Sequence, residues 1–202
     1  MTKFNIIKLD AIGSTNDYLK NKFHISDCND GDVVWTLNQT KGRGQQSNNW
    51  FSDPQKNITF SVFKRFSVLK PDEYFLINCA VTLAIVKFLE HFNIPEVKIK
   101  WPNDILSANK KIGGVLIENF IKGDSLKGSI IGVGINVNQT SFTNLPSASS
   151  ILLQCNEEFD LNVVFEKLLG TLKFFLKKLN NPDRNRLLNA FQKFIFKKGE
   201  WC

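Results

Sequence analysis

Three segments of the chain combine glycine, cations and carboxamides, a mixture that a hydrophobic core does not require. The first is Gln39-Thr40-Lys41-Gly42-Arg43-Gly44-Gln45-Gln46-Ser47-Asn48-Asn49-Trp50. Gly42 and Gly44 let a ligand approach the main chain closely, and Arg43 between them can present a planar fork to a carboxylate or phosphate. Trp50 offers a flat face to a heterocycle. By themselves these residues also describe a flexible polar loop with one buried tryptophan. The second segment is Lys100-Trp101-Pro102-Asn103-Asp104, with Lys111 seven residues after Asp104 and Gly113-Gly114 just beyond. Two lysines converging near a carboxylate suit a polyphosphate and its magnesium; an Asn-Asp turn between edge strands with solvated lysines is the plainer description. The third, Gly132-Val133-Gly134-Ile135-Asn136-Val137-Asn138, sets alternating glycines in an apolar strand, where something must pack against the backbone.

The elements that must position these residues form an uneven series. Phe4 to Leu9 reads as a strand, followed by a helix beginning near Thr15 with Ser14 or Thr15 as its N-cap. Asp32 to Gln39 is a second strand, Thr40 to Lys56 a long polar loop, and Asn57 to Arg65 a strand with period-two alternation. Pro71-Asp72-Glu73 opens a helix whose apolar positions (Phe75, Leu76, Cys79, Leu83, Val86, Leu89) recur at three- and four-residue spacing until Pro95. Strands at Val97 to Trp101, Lys111 to Ile121 and Ser129 to Asn138 follow, the last two joined by Lys122-Gly123-Asp124. Asp160 caps a helix over Leu161 to Leu179, and Asn181-Pro182 starts another through Lys197. This order predicts an α+β domain, a mixed sheet backed by helices, not the strict alternation of a doubly wound fold.

Composition narrows the class. With 43% hydrophobic and 22% charged residues among 202, the chain is neither disordered nor collagenous nor a coiled coil. No apolar run reaches the roughly 18–20 residues of a membrane span. The start, MTKFNIIKLD, has no signal-peptide core, so a cytoplasmic location is expected. Twenty-six Lys and Arg against 19 Asp and Glu give +7, which invites a nucleic-acid reading. Its lysines concentrate with phenylalanine near the C-terminus, where Phe174, Phe175, Phe191 and Phe194 fall at spacings that suit a core and leave the lysines as a solvated face. Cys28, Cys79, Cys155 and Cys202 are far apart, without CxxC, and are expected as reduced structural thiols. His24 and His91 have no catalytic partner set. The GxGxxG fingerprint is incomplete, and P-loop, GxSxG, HExxH and kinase signatures are missing.

Together the segments resemble the biotin–protein ligase family. Ser14-Thr15-Asn16, Gln39 to Gly44, Trp50, Lys100 to Asp104, Lys111-Ile112-Gly113-Gly114 with Glu118, and Gly132 to Asn136 stand in that family's order and spacing. The resemblance implies a catalytic domain related to class II aminoacyl-tRNA synthetases, over residues 1–198, with 199–202 as a stub where a small β-barrel would begin. It implies a ligase that joins biotin to ATP as biotinyl-5'-adenylate and then passes biotin to a lysine of a biotin carboxyl carrier protein. Biotin and ATP are then substrates, with Mg2+ on the nucleotide; DNA and membrane are not expected as partners, and a homodimer is allowed.

By matching position, the resemblance assigns Ser14, Thr15, Asn16 and Gln39 to biotin, with Gly42, Gly113, Gly114, Gly132 and Gly134 keeping the pocket open. Arg43 and Lys111 would bind the carboxylate and α-phosphate as the catalytic cations. Gln45, Trp50, Lys100, Asn103 and Asn136 would serve ATP, Trp50 stacking on adenine and Asn136 bonding its edge, and Asp104 would meet magnesium. Where many members continue with arginines, this chain reads Gln45-Gln46-Ser47-Asn48-Asn49, which predicts a leakier adenylate. A lipoate or octanoate ligase of the same superfamily is the alternative enzyme, and a basic nucleic-acid-binding module the alternative of another class.

Overall fold

Seven strands form one mixed sheet in the computed structural model, which describes residues 3–199 except 144, 182, 183 and 185, with the backbone alone at 47 and 71. In chain order the elements are β1 (Asn5–Leu9), α1 (Thr15–His24), β2 (Asp32–Thr36), β3 (Gly42–Arg43), β4 (Asn49–Trp50), β5 (Asn57–Lys64), α2 (Phe75–His91), β6 (Lys98–Lys100), β7 (Asp104–Ser107), β8 (Lys110–Lys122), β9 (Ser125–Asn136), α3 (Ile151–Cys155), α4 (Leu161–Lys178) and α5 (Arg186–Gln192). The sheet order is β1-β2-β5-β9-β8-β7-β6, parallel between β1 and β2 and antiparallel elsewhere. This is the expected α+β architecture.

The two faces of the sheet are covered unequally. Ile58, Phe60 and Val62 of β5, with Val33 and Trp35 of β2, pack into a large core against α2 and α4. There Phe165 stacks on Trp35 at 4.1 Å. α4 is set by Asp160, whose carboxylate accepts from the Asn162 and Val163 amides. The opposite face carries a small core of Leu19, Cys28, Val34, Phe63 and Ile130, with Leu19 the fully buried apolar anchor of α1. One such side chain is worth about 1.5–3 kcal/mol, so polar contacts must finish seating α1. The rest of that face, over β9 and β8, is left open.

Several boundaries differ from expectation. The Thr40–Lys56 segment holds the short β3–β4 pair and a turn in which Gln46 takes a left-handed φ of 52°. Asp104–Ser107 is an additional strand, because the Trp101–Asp104 turn folds β6 straight back on it with Lys100 opposite Asp104. Pro71–Glu73 is a separate 3-10 turn before α2, and Ser150 caps the unanticipated α3. The final helix runs only over Arg186–Gln192, since the chain then pairs with β6 through Phe194 O and the Phe196 amide on either side of Ile99. Pro182, in the expected start of that helix, and Glu200-Trp201-Cys202 lie outside the described residues.

Of the phenylalanines expected in the core, Phe175 and Phe191 are buried, but Phe174 is 58% exposed because α4 turns it away from the sheet, beneath the Lys178 ammonium. Cys28 and Cys79 are buried free thiols, and Cys155 is half-buried. Both histidines are exposed. Among the described residues no helix is long and apolar enough to cross a membrane.

Candidate active site

A cavity of about 440 Å³ occupies the open face of the sheet. Its floor follows from register. Ser61 and Thr59 of β5 stand opposite Gly132 and Gly134 of β9, which in turn oppose Leu116 and Gly114 of β8. Polar residues at alternate positions of β5 thus meet glycines at alternate positions of β9. The glycines are required by what lies on them: a Cβ at Gly132 would collide with the Asn16 side chain, and one at Gly134 would sit 2.6 Å from the Trp50 ring. Both backbones are approached closely, as the alternating glycines predict.

One end of the cavity is a polar network. Ser14 caps α1, accepting from the Asp17 amide at 3.3 Å, and so turns Thr15 and Asn16 toward the sheet. Gln39 Oε1 accepts from the Thr15 amide at 2.9 Å, with Thr15 Oγ1 3.1 Å away. Ser61 Oγ lies 2.7 Å from Thr15 Oγ1 and 2.6 Å from Asn16 Oδ1. Asn16 Nδ2 donates to Glu118 Oε2 at 2.8 Å. Gln39 Nε2 donates to no partner among the described residues, leaving a fixed donor at the cavity end.

The mouth carries the charges. Arg43 donates to Asp17 Oδ1 at 2.6 Å and Glu118 Oε2 at 3.0 Å, while Lys20 reaches Glu118 Oε1 at 3.2 Å. Burial alone would push the Glu118 carboxyl up; the Asn16 and Lys20 hydrogen bonds and the Arg43 charge outweigh it and hold it below its ordinary range. Lys111 Nζ lies 2.6 Å from Asp104 Oδ1 and 5.9 Å from the Trp50 ring centre. Lys111 and Trp50 also line a second hollow of about 240 Å³, completed by Phe142, Leu145, Pro146 and Asn136. In its wall Asn136 Nδ2 donates to Ser149 O at 2.9 Å, while Asn136 Oδ1 and Trp50 Nε1 are buried without partners among the described residues. An unpaired buried polar atom costs about 1–3 kcal/mol, which fits a site that a ligand completes.

Most residues singled out from the sequence converge here. Ser14, Thr15, Asn16, Gln39, Arg43, Gln45, Trp50, Asn103, Asp104, Lys111, Gly114, Gly132 and Gly134 line the larger cavity. Asn103 braces its wall, donating from Nδ2 to Val115 O at 2.7 Å. Three others, Gly113, Gly42 and Lys100, line neither hollow. Gly113 faces the core, where a Cβ would meet Ile135, because it has the opposite parity to Gly114 on β8. Gly42 lines neither hollow and is buried in β3 against Trp50. Lys100 is exposed and lines neither, since β6 turns Ile99 inward. Arg43 lines the larger cavity, and its guanidinium is paired with carboxylates of α1 and β8. Sequence reasoning missed Ser61 and Asp17 and gave Glu118 no role; the period-two polarity of β5 was the available signal for Ser61. Among the described residues no cluster of three or more His, Cys, Asp or Glu could hold a metal ion.

Fold and site define an α+β domain with two adjoining hollows on one face of a mixed sheet. Residues 9–136 match the model of the biotin/lipoate A/B protein ligase family. The bifunctional ligase/repressor BirA of Salmonella typhimurium is 25% identical over 191 residues, covering 94% of this chain and 59% of that protein. The BirA of Bacillus spizizenii is 36% identical over 143 residues, covering 68% and 42%. This chain therefore spans about two to three fifths of those relatives' lengths. The biotin protein ligase of Aquifex aeolicus, solved in complex with biotin and ATP, superposes with a TM-score of 0.79 at 27% identity, covering 95% of this chain and 78% of that one. The chain belongs to the biotin/lipoate A/B protein ligase family.

Proposed function

We propose that the protein is a biotin–protein ligase that makes biotinyl-5'-adenylate and transfers biotin to a lysine of a biotin carboxyl carrier protein. The observation that carries this is the junction at Lys111, where its ammonium, paired with Asp104, lines both hollows. A carboxylate from the larger cavity and an α-phosphate from the smaller would meet at one cation. Gln39, held by Thr15, offers its amide donor to the ureido oxygen of biotin. Adenine fits the smaller hollow, with the Trp50 ring on one side and Asn136 Oδ1 accepting from its amino group.

In the first step a biotin carboxylate oxygen attacks the α-phosphorus, an acyl–phosphate bond forms, and the bond to pyrophosphate breaks with its electron pair leaving on pyrophosphate. Two anions must approach, so a preorganised cation where charge develops is the chief requirement, and Lys111 supplies it. In the second, the carrier amine attacks the acyl carbon, AMP leaves and the amine loses a proton. Trp50 and the β3–β4 pair shield the mixed anhydride from water. Asp104, beside Lys111, would offer one carboxylate to a magnesium ion brought with the nucleotide, and such an ion would neutralise charge on the leaving pyrophosphate.

Incubation with biotin, MgATP and a carrier domain, followed by mass measurement, tests the proposal. A biotin adduct on the carrier is expected, and Lys111→Ala should slow its formation by about 100-fold or more, the scale of a lost oxyanion donor. Adduct formation at full rate in that variant would reject the role of Lys111. Labelling with lipoate in place of biotin would reject the substrate.

A further inference from the structure

Beside the Lys111–Asp104 pair, the other four charges at the cavity mouth balance among themselves. Arg43 and Lys20 face Asp17 and Glu118, and both of the latter contact Arg43. The sole job expected of Arg43, binding a ligand anion, therefore meets resident competition. Glu118 has a second contact with different consequences. Asn16 Oδ1 lies 2.6 Å from Ser61 Oγ while Asn16 Nδ2 lies 2.8 Å from Glu118 Oε2. A flipped Asn16 amide would set its oxygen against the Glu118 carboxylate, so the carboxylate dictates which way the amide points. Ser61 must then donate its one proton to Asn16 and accept from the Thr15 hydroxyl, which leaves the Thr15 backbone amide as the donor that anchors Gln39. One carboxylate thus sets the direction of the hydrogen bonds at the closed end and holds the cation at the open end.

We propose that Glu118 is a positioning residue with two separable effects: it orients Asn16 within the binding cavity, and together with Asp17 it detains Arg43 until a ligand carboxylate competes for the guanidinium. Neither residue is assigned contact with the reacting atoms. The proposal rests on the reading of the cavity as a biotin site, and it predicts how the protein distinguishes biotin from its primary amide, which lacks the charge. Affinity for the amide reports Asn16. The ratio of the two affinities reports Arg43.

Calorimetry with biotin and biotinamide on the full chain and three variants tests both effects. Asp17→Asn should raise the preference for biotin over the amide about threefold, the scale of one exposed ion pair, and leave amide affinity unchanged. Glu118→Met should raise the preference similarly and also weaken the amide about fivefold, the scale of one misdirected hydrogen bond. Glu118→Gln, which keeps an acceptor for Asn16, should restore the amide to within about twofold while the raised preference persists. An unchanged preference in Asp17→Asn overturns the detention of Arg43, and unchanged amide affinity in Glu118→Met overturns the orienting role. If the wild-type protein binds neither ligand, the biotin reading itself fails, and the Asn16 side-chain amide resonances decide the orienting role. They should move in Glu118→Met and hold in Asp17→Asn; resonances unmoved in Glu118→Met would sink it.

Discussion

Gly134→Ala puts a single methyl group against the residue proposed to carry the nucleotide. An ideal Cβ at Gly134 lies 2.6 Å from Trp50 Cε2, 2.7 Å from Cζ2 and 3.0 Å from Nε1. Carbon–carbon contacts settle near 3.5–4.0 Å, so something must move by about 1 Å. Gly134 is clamped on both sides, by Thr59 of β5 and Gly114 of β8, whereas Trp50 sits in a two-residue strand paired only with β3. The tryptophan yields. If it held, overpacking would cost about 1–3 kcal/mol. Because it moves, much of that is relieved, and alanine gains about 0.5–1 kcal/mol over glycine in a strand. Net stability should change by less than about 1 kcal/mol, or roughly 2–4 °C in a chain of this size. The displaced ring loses about 1–2 kcal/mol of the stacking an aromatic gives a base, which is roughly a 5- to 30-fold weaker affinity for ATP. Calorimetric titration with ATP and a thermal melt read the two effects separately. Unchanged ATP affinity would show that Trp50 does not carry the base; a melting point lower by more than about 10 °C would show that the strand, not β4, gives way.

Three further outcomes are expected. The neutral Gln45-to-Asn49 run, in place of arginines, should let biotinyl-adenylate dissociate roughly tenfold faster than from an arginine-rich relative, the sum of two lost exposed contacts of about 0.7 kcal/mol each; equally slow release in a chase experiment would refute it. The folded Glu118 carboxyl lies below its ordinary range because the Asn16 and Lys20 hydrogen bonds and the Arg43 charge overcome the opposing effect of burial. Its contribution to stability is therefore complete above the unfolded value of about 4.3 and lost as pH falls through the lower folded value. Acid titrations followed by circular dichroism should show a shallower loss of stability in Glu118→Gln than in wild type, and identical acid limbs would count against the pairing. Burial pushes the Cys28 thiol up to about 11 and the Cys79 thiol up to about 12. Neither should react with a maleimide at pH 8 in the folded protein, and both should after denaturation; rapid labelling of Cys79 in the native state would contradict its burial.

Chemistry-bearing blocks were legible because each is local. The Trp101-to-Asp104 turn, the Gly132 and Gly134 alternation and the Ser14 cap are each written within a few residues, and the sheet places all three at one cavity. Local writing also explains the errors. β7 has four residues and no alternation long enough to stand out, and β3 and β4 have two each, so pairing rather than propensity makes them strands. The last helix is cut short by a tertiary bridge between Ile99 and Ile195 that no helical signal in 181–197 records.

Parity would have recovered more than local signals did. Side chains of a strand alternate between faces, so one residue known to face the cavity assigns every second neighbour. On β8, Gly114 on the cavity floor carries Leu116 and Glu118 with it and sends Gly113 and Val115 to the core, as found. The paired glycines therefore never had one role between them: Gly114 borders the cavity and Gly113 packs against Ile135. On β5 the same rule carries Ser61 to the cavity beside Thr59, opposite the two glycines of β9. What parity cannot supply is the partner of a long flexible cation. Arg43 and Glu118 are 75 residues apart, and their 3.0 Å contact depends on how β3 lies over α1 and β8, which no strand alternation encodes. The arginine of a glycine-rich loop can be assigned a ligand from its type alone, but whether it is free to bind one is decided by the carboxylates that the folded sheet brings to it.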